Sequence, residues 1–315
     1  MIQNCIVCFS SNLSRGHRYN NISWPELNEF NNLTITYCKN CGQGFIENEP
    51  ANNFINDFYF SIYRNHHSPF FINFSKLKFP SHIDYRSFSQ IELGAQFVKI
   101  SKGDYFVDIG PGEGTSFNEV YKLFPGINRA AIEMNKGDSK AYKRIYNIQT
   151  YKSINQFLQC GLKAKIALLS HSLEHYKASW LNNILHELKR LVGEEGIIIV
   201  EVPNNDFRNK INFVINHSPH CLFFSIDSIR QLFENNGWDI LYLNTVNEFI
   251  KDYYKKGYSN NMTKLSKIIP RFKITSILKI KEGNNHISND LTKSNFKYGG
   301  QRVCLRMIAK LHKHK

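Results

Sequence analysis

From about residue 90 the apolar positions alternate between two patterns: short continuous blocks, and longer stretches with a spacing of three to four residues. "DYFVDIG" (104–110) reads as a buried strand, and "GTSFNEVYKLF" follows it as a helix. "RAAIEMN" (129–135) is a second strand, then a helix runs through "SKAYKRIY" to a short strand at "NIQTY". "KIALLSHS" (165–172) precedes an amphipathic helix in which Trp180, Leu181, Ile184, Leu185, Leu188 and Leu191 share one face; Gly193 and Gly196 break it. "IIIVEVP" (197–203) is another strand. "SIDSIRQLFENNG" is a helix with Ser225 as N-cap and Gly237 as stop, and "WDILYLNTV" is a strand after it. "QRVCLRMIAKL" (301–311) supplies the last strand, while residues 251–298 form a basic, Asn-rich insertion with no placement in this scheme. No internal repeat is present. Strands alternating with helices imply an α/β fold with a doubly wound sheet, its ligand at the carboxyl ends of the central strands. The domain is expected to span residues 90–315.

The first fifty residues have a different character. Cys5-x-x-Cys8 and Cys38-x-x-Cys41 are two tight turns, each able to aim two thiolates at one ion, as a tetrahedral zinc site requires. Four thiolates close such a site, so its expected role is structural. Residues 1–50 are therefore expected to form a zinc-ribbon-like module with Cys5, Cys8, Cys38 and Cys41 as ligands. Residues 51–89 are an aromatic-dense linker, whose rings are expected to pack the module onto the next domain. The functional alternative is that Tyr59, Tyr63, Arg64 or His67 lines a pocket at the seam.

Bulk properties narrow the classes. The chain has 315 residues and a net charge of +14, which suits a polyanionic partner, but the excess is concentrated late, in the insertion and in "AKLHKHK". No run of 18 apolar residues exists and the amino terminus lacks a signal-peptide core, so no membrane span and a cytoplasmic location are expected. In a reducing compartment the paired thiols are better read as metal ligands than as disulfides.

The residues that bear most directly on function lie in "VDIGPGEGTSF" (107–117). A P-loop needs Gly-Lys-Ser/Thr at the helix start, and none is here; a dinucleotide fingerprint needs a third glycine one residue later than Gly114. Charge separates the readings further. Asp108 and Glu113 flank the turn and would repel a pyrophosphate by a few kcal/mol at an effective dielectric near ~20. A cationic ligand is not repelled, and S-adenosylmethionine, with a sulfonium, an ammonium and no phosphate, suits a turn that combines close backbone approach with an acid.

This stretch resembles the first motif of the class I S-adenosylmethionine-dependent methyltransferases, a family with a Rossmann-like seven-stranded sheet. The resemblance extends to Glu133, 25 residues after Asp108, at the position of the acid that accepts both ribose hydroxyls. It extends also to "SHSLEHY" (170–176), similar to the H-x-LEH segment beside the methionine end of the cofactor, and to "LKRLVGEEGIIIVEVPN". The cofactor-binding residues it implies are Asp108, Gly110, Gly112, Gly114, Glu133 and His171. The match covers about residues 90–250 and the last strand. Two departures stand out: Lys165 replaces an acid common at that strand start, and no clear acid meets the adenine amine, which leaves Tyr151 to Ser153 as its neighbourhood.

The combination of four-cysteine module, aromatic linker and methyltransferase domain is similar to the sugar C-methyltransferase subgroup, which acts on nucleotide-linked deoxysugars. Its Tyr-x-Glu-His set corresponds here to "HSPHCLFFS", where His220 matches the histidine, His217 replaces the tyrosine and Pro219 the glutamate. The acceptor atom stays open between carbon, oxygen and nitrogen. His220 is the first choice of general base, as an imidazole of ordinary pKa, with His175 and Glu174 on the rim of the cofactor strand. The small-molecule acceptor, a nucleotide-linked sugar, competes with an RNA gripped by the zinc module and the basic insertion, which predicts steep salt dependence. A non-enzymatic scaffold has no need of Glu133, and a dehydrogenase would require different glycine spacing and charge.

Overall fold

The computed structural model describes residues 2–19, 32–50, 52–59, 85–209, 220–247 and 303–312. The basic insertion, Tyr63, Arg64, His67, His217 and Pro219 lie outside the described residues.

The strands read from the sequence assemble into one mixed sheet. β4 (Tyr105–Ile109), β5 (Asn128–Ile132), β6 (Gln149–Tyr151), β7 (Ile166–Ser170) and β8 (Ile197–Pro203) run parallel. β11 (Val303–Leu311) lies antiparallel to β8 and is flanked by β10 (Trp238–Asn247), in the order β10-β11-β8-β7-β4-β5-β6. The chain returns from β5 and β6 on one side of β4 to β7 and β8 on the other. β4 and β7 are thus the point where the winding reverses, and loops there diverge to leave a crevice at their carboxyl ends.

Alternate residues of each strand feed two apolar layers, as period-2 side chains must. Val107, Ala167, Leu169, Ile198 and Val200 face one layer with α5 (Ile154–Gln159), α6 (Leu181–Val192) and α7 (Ile226–Glu234). Phe106, Ile166, Leu168, Ile197 and Ile199 face the other, with α2 (Tyr85–Ala95), α3 (Thr115–Leu123) and α4 (Lys136–Tyr146). Each fully buried aliphatic or Phe side chain contributes about 1.5–3 kcal/mol. α6 buries Leu181, Ile184, Leu185, Leu188 and Leu191, while Trp180 is its N-cap residue and lies outside the helix. α7 starts at a capping box in which Ser225 and Ser228 each satisfy the other's backbone N–H. α2 begins five residues ahead of the expected domain start.

The cysteine region forms a second, antiparallel sheet, with strands in the order β1 (Leu13–Arg18), β2 (Thr34–Cys38), β3 (Gly44–Ile46) and β9 (Leu222–Phe223). β9 follows β8 in the chain by almost twenty residues, so the sheet of the first fifty residues is completed by a strand from the large domain. Further ties run the same way: Ser225 Oγ donates to the Cys41 carbonyl (2.5 Å), Arg208 to the Asn40 carbonyl (2.8 Å), and Asn235 to the Val7 carbonyl (3.1 Å). A short helix, α1 (Asn52–Asp57), leads to Phe58, buried with Tyr19, Ile46, Phe207 and Phe223. Phe58 thus packs between the two regions, while residues 60–84 of the linker lie outside the described residues.

Candidate active site

β4 ends at Asp108 and Ile109 and turns through Gly110, Gly112 and Gly114, all at positive φ (69°, 58° and 74°), a conformation that glycine adopts without strain. A Cβ on Gly114 would stand 2.8 Å from the Tyr146 ring, whereas one on Gly112 would meet nothing within 4 Å. Gly114 is thus required by packing. Gly112 leaves backbone open to an approaching ligand. Two tyrosines of α4 fix the outer side of the turn, the Tyr142 hydroxyl donating to the Gly112 carbonyl (2.5 Å) and the Tyr146 hydroxyl to that of Glu113 (2.9 Å).

Asp108 is buried, with Oδ2 accepting from Ser116 Oγ at 2.5 Å and Oδ1 making no hydrogen bond. Burial raises its pKa to about 7, assisted by the nearby Glu133 charge and opposed by Ser116. A buried carboxylate with an empty acceptor atom favours a cationic donor. Glu133 follows β5; its backbone N–H bonds the Tyr151 carbonyl (2.8 Å), and its Oε1 accepts from the Asn135 N–H (2.8 Å). Asn135 in turn caps α4 through the Gly137 and Asp138 N–H groups. An open-sided cleft of about 550 Å³ begins one residue past Glu133 in the chain, lined by Met134, Asn135, Lys136, Gly137 and Lys152. Lys152 falls in the neighbourhood left for the adenine contact.

At the end of β7, His171 takes φ 54°, an unusual value for a non-glycine residue, and the chain bends into a 3₁₀ turn at Leu173–His175. His171 Nδ1 lies 3.5 Å from Glu174 Oε1, and its Nε2 lies 3.7 Å from Glu201 Oε1 and 3.6 Å from Cys304 Sγ. Burial opposes the imidazolium, but Cys304 and the two carboxylates outweigh it and raise the His171 pKa well above its ordinary value. Against the same burial, His171 and its neighbours hold Glu174 and Glu201 ionised, each with a pKa of about 2. Arg306 of β11 donates to Glu201 Oε2 at 2.6 Å and to Ser89 Oγ at 2.9 Å, completing a buried ion pair across the β8–β11 register.

The His175 and His220 rings stand 5.0 Å apart, and the Tyr59 hydroxyl meets His175 Nδ1 at 2.6 Å. The structure therefore brings His171, Glu174, His175 and His220 together, with Tyr59 of the linker beside them. The expectation of an ordinary imidazole does not hold at His220. Burial, with the neighbouring His175, pushes its pKa down to about 3, so it is neutral at working pH and a weak proton acceptor. Sequence reasoning missed Glu201, Cys304 and Arg306. A charged residue in the middle of a mostly apolar strand is the only trace of Arg306, and nothing local pairs it with Glu201.

The four cysteine sulfurs form the other cluster. Cys5 and Cys41 Sγ are 3.6 Å apart and Cys8 and Cys38 Sγ 3.5 Å, with all four within 4.8 Å of one another. Thiolates on one tetrahedral zinc at ~2.3 Å stand about 3.8 Å apart, so the spacing fits a shared ion and is too long for disulfides.

A seven-stranded sheet with its antiparallel strand between two others, a glycine turn after the central strand and an acid after the next define a class I S-adenosylmethionine-dependent methyltransferase. The family comparison agrees: a family model described as "Methyltransferase domain" matches residues 85–243, half of the chain, and the protein belongs to that family. It is a methyltransferase. No curated protein matches the chain in sequence. Among solved structures, the chain is similar to a cyclopropane synthase from Mycobacterium tuberculosis (11% identity, TM-score 0.47, covering 70% of this chain and 83% of that one). It is similar also to the 1,6-didemethyltoxoflavin-N1-methyltransferase of Burkholderia thailandensis (12% identity, TM-score 0.49, 90% and 96% covered). Among the described residues, no helix is long and apolar enough to cross a membrane.

Proposed function

We propose that this methyltransferase passes the methyl group of S-adenosylmethionine to a polar small molecule, with nucleotide-linked sugars as the first acceptor class, and that its four cysteines hold a structural zinc ion. One observation supports the donor most directly: Asp108, buried at the glycine turn, keeps an acceptor oxygen with no hydrogen bond, in a place where phosphate would be repelled and an ammonium attracted. Glu133, one residue before the cleft in the chain, holds the ribose hydroxyls. Methyl transfer is a displacement at carbon: the acceptor's lone pair forms the new bond as the C–S bond breaks and the sulfonium becomes a neutral thioether. Alignment supplies most of the rate.

The acceptor side is assigned to Glu174, His175 and His220, with Tyr59 contributed by the linker. His175 takes the proton-accepting role in preference to His220, since the Tyr59 hydroxyl orients its ring and the His220 imidazole is held neutral at a low pKa. The sulfur spacing supports zinc, and the ties from Arg208, Ser225 and Asn235 give the filled site a reason to matter to the catalytic domain.

The test is calorimetric titration with S-adenosylhomocysteine, NAD and a short RNA at two salt concentrations, followed by incubation with S-adenosylmethionine and a panel of nucleotide sugars under mass detection. Micromolar product binding without NAD binding, and one added methyl group on a nucleotide sugar, are expected. Glu133→Gln is expected to weaken product binding at least tenfold, about 1.4 kcal/mol, while the protein stays folded. Salt-sensitive RNA binding with no sugar methylated would replace this acceptor with RNA.

A further inference from the structure

Glu174 is only 1% exposed, yet neither of its carboxylate oxygens makes a hydrogen bond. Its buried neighbour Glu201 is satisfied directly by Arg306, at 2.6 Å. An ionised carboxylate left without donors costs several kcal/mol unless a cation completes it. Protonated His171 supplies part of that cation, its Nδ1 3.5 Å from Oε1, but its other nitrogen is turned to Glu201 and Cys304, and Oε2 has no ion pair among the described residues.

We propose that Glu174, His175 and His220 form a divalent-metal site, separate from the cysteine cluster. One ligand atom from each of the three lies within 4.8 Å of the others. Donors sharing an ion at ~2.1 Å stand up to about 4 Å apart, so a small change of side-chain torsion closes the set. Backbone contacts hold the two halves in place without any metal: the Cys221 N–H donates to the Glu174 carbonyl (2.9 Å), and the His220 N–H to the Tyr19 hydroxyl (3.0 Å). Tyr59 meets His175 Nδ1 at 2.6 Å, the outer contact that orients a metal-ligating imidazole. Two imidazoles and one carboxylate, with no thiolate, select a late first-row ion such as Fe²⁺, Co²⁺, Ni²⁺ or Zn²⁺ over Mg²⁺ or Ca²⁺. Three protein ligands leave coordination positions for another molecule. Resting on the methyl-transfer reading, that molecule is the acceptor, bound through a hydroxyl whose proton the ion makes easier to lose to solvent, and with the ion bound His175 serves as a ligand in place of the proton acceptor.

The test uses Co²⁺ added to the full chain after zinc analysis shows the cysteine site filled. Expected is one further equivalent bound at micromolar affinity or better, with visible d–d absorption and no thiolate-to-cobalt charge transfer. Glu174→Gln and His220→Asn should each weaken binding tenfold or more, and Tyr59→Phe several-fold, with His186→Asn, exposed on α6, within threefold of the parent. Retained zinc content and thermal transition exclude misfolding, and Tyr59→Phe keeps the test open if a ligand variant does not fold. No second equivalent, or the same cobalt affinity in Glu174→Gln and His220→Asn, overturns the proposal. S-adenosylhomocysteine titrated into the same samples separates the two ideas: cobalt failure with product bound removes only the metal site. Product failure with cobalt bound removes only the methyl-transfer reading.

Discussion

At the residue scale, the most informative group is Asp108. Its pKa is raised to about 7 in the folded protein, mainly by burial, and returns to about 4 on unfolding. The folded state therefore holds a proton that the unfolded state has lost between those values. Its contribution to stability is full below about pH 4 and lost as pH rises through about 7. Asp108→Asn, which cannot ionise, is expected to be more stable than the parent at pH 8, by at most about 4 kcal/mol, with the difference fading toward pH 4. Thermal unfolding of both proteins across that range checks it, and a constant difference would show that Asp108 does not titrate there. Binding of a cationic cofactor should release a proton near pH 6 and almost none at pH 8, measurable by calorimetry in buffers of different ionisation enthalpy. Asp108, Glu133 and the three glycines were legible in the sequence because their spacing follows from one local strand–turn–helix geometry. The neutral state of His220 was not, because residues distant in sequence bury it.

At the element scale, α2 shows how contact overrides propensity. Alanine is normally preferred to glycine inside a helix by about 1 kcal/mol. A Cβ at Gly94, however, would stand 2.4 Å from Ile199 Cδ1 on β8. Gly94→Ala is expected to destabilise the protein by about 1–3 kcal/mol in denaturant titration, despite the gain in propensity. The β8–β11 pair depends equally on its partner. Arg306→Ala leaves Glu201 charged, buried and without its guanidinium, and a loss of about 3–5 kcal/mol is expected, with the transition temperature as readout. Period and capping made most elements readable: α7 begins at Ser225 as its sequence implies, and β8 spans the expected residues. Trp180 was misplaced because a periodic apolar residue at a helix boundary looks the same as one inside.

At the scale of the whole molecule, the cysteine cluster and the methyltransferase domain share structure. β9 pairs with β3, and the segment beginning at His220 links the cysteine sheet to the turn that carries Glu174 and His175. Removing zinc with a chelator, or Cys38→Ser, is expected to lower the transition temperature of the whole protein in one cooperative step. It should also weaken methyl transfer more than S-adenosylhomocysteine binding, because Glu133 and the glycine turn lie on the other side of the sheet order. Differential scanning calorimetry with product titration checks both. A separate early transition that leaves the acceptor side intact would mean the cysteine region folds alone.

The sequence by itself determined the order and type of elements, the doubly wound sheet, the glycine turn after β4 with an acid after β5, and the grouping of four thiols, because each follows from residues close along the chain. The tertiary structure decided what only distance in sequence can create. It added β9 to the cysteine sheet, paired Arg306 with Glu201 across 105 positions, and brought Tyr59 to His175 across 116. It also gathered Glu174, His175 and His220 into one cluster, where neighbouring imidazoles keep Glu174 charged against burial and burial keeps His220 neutral.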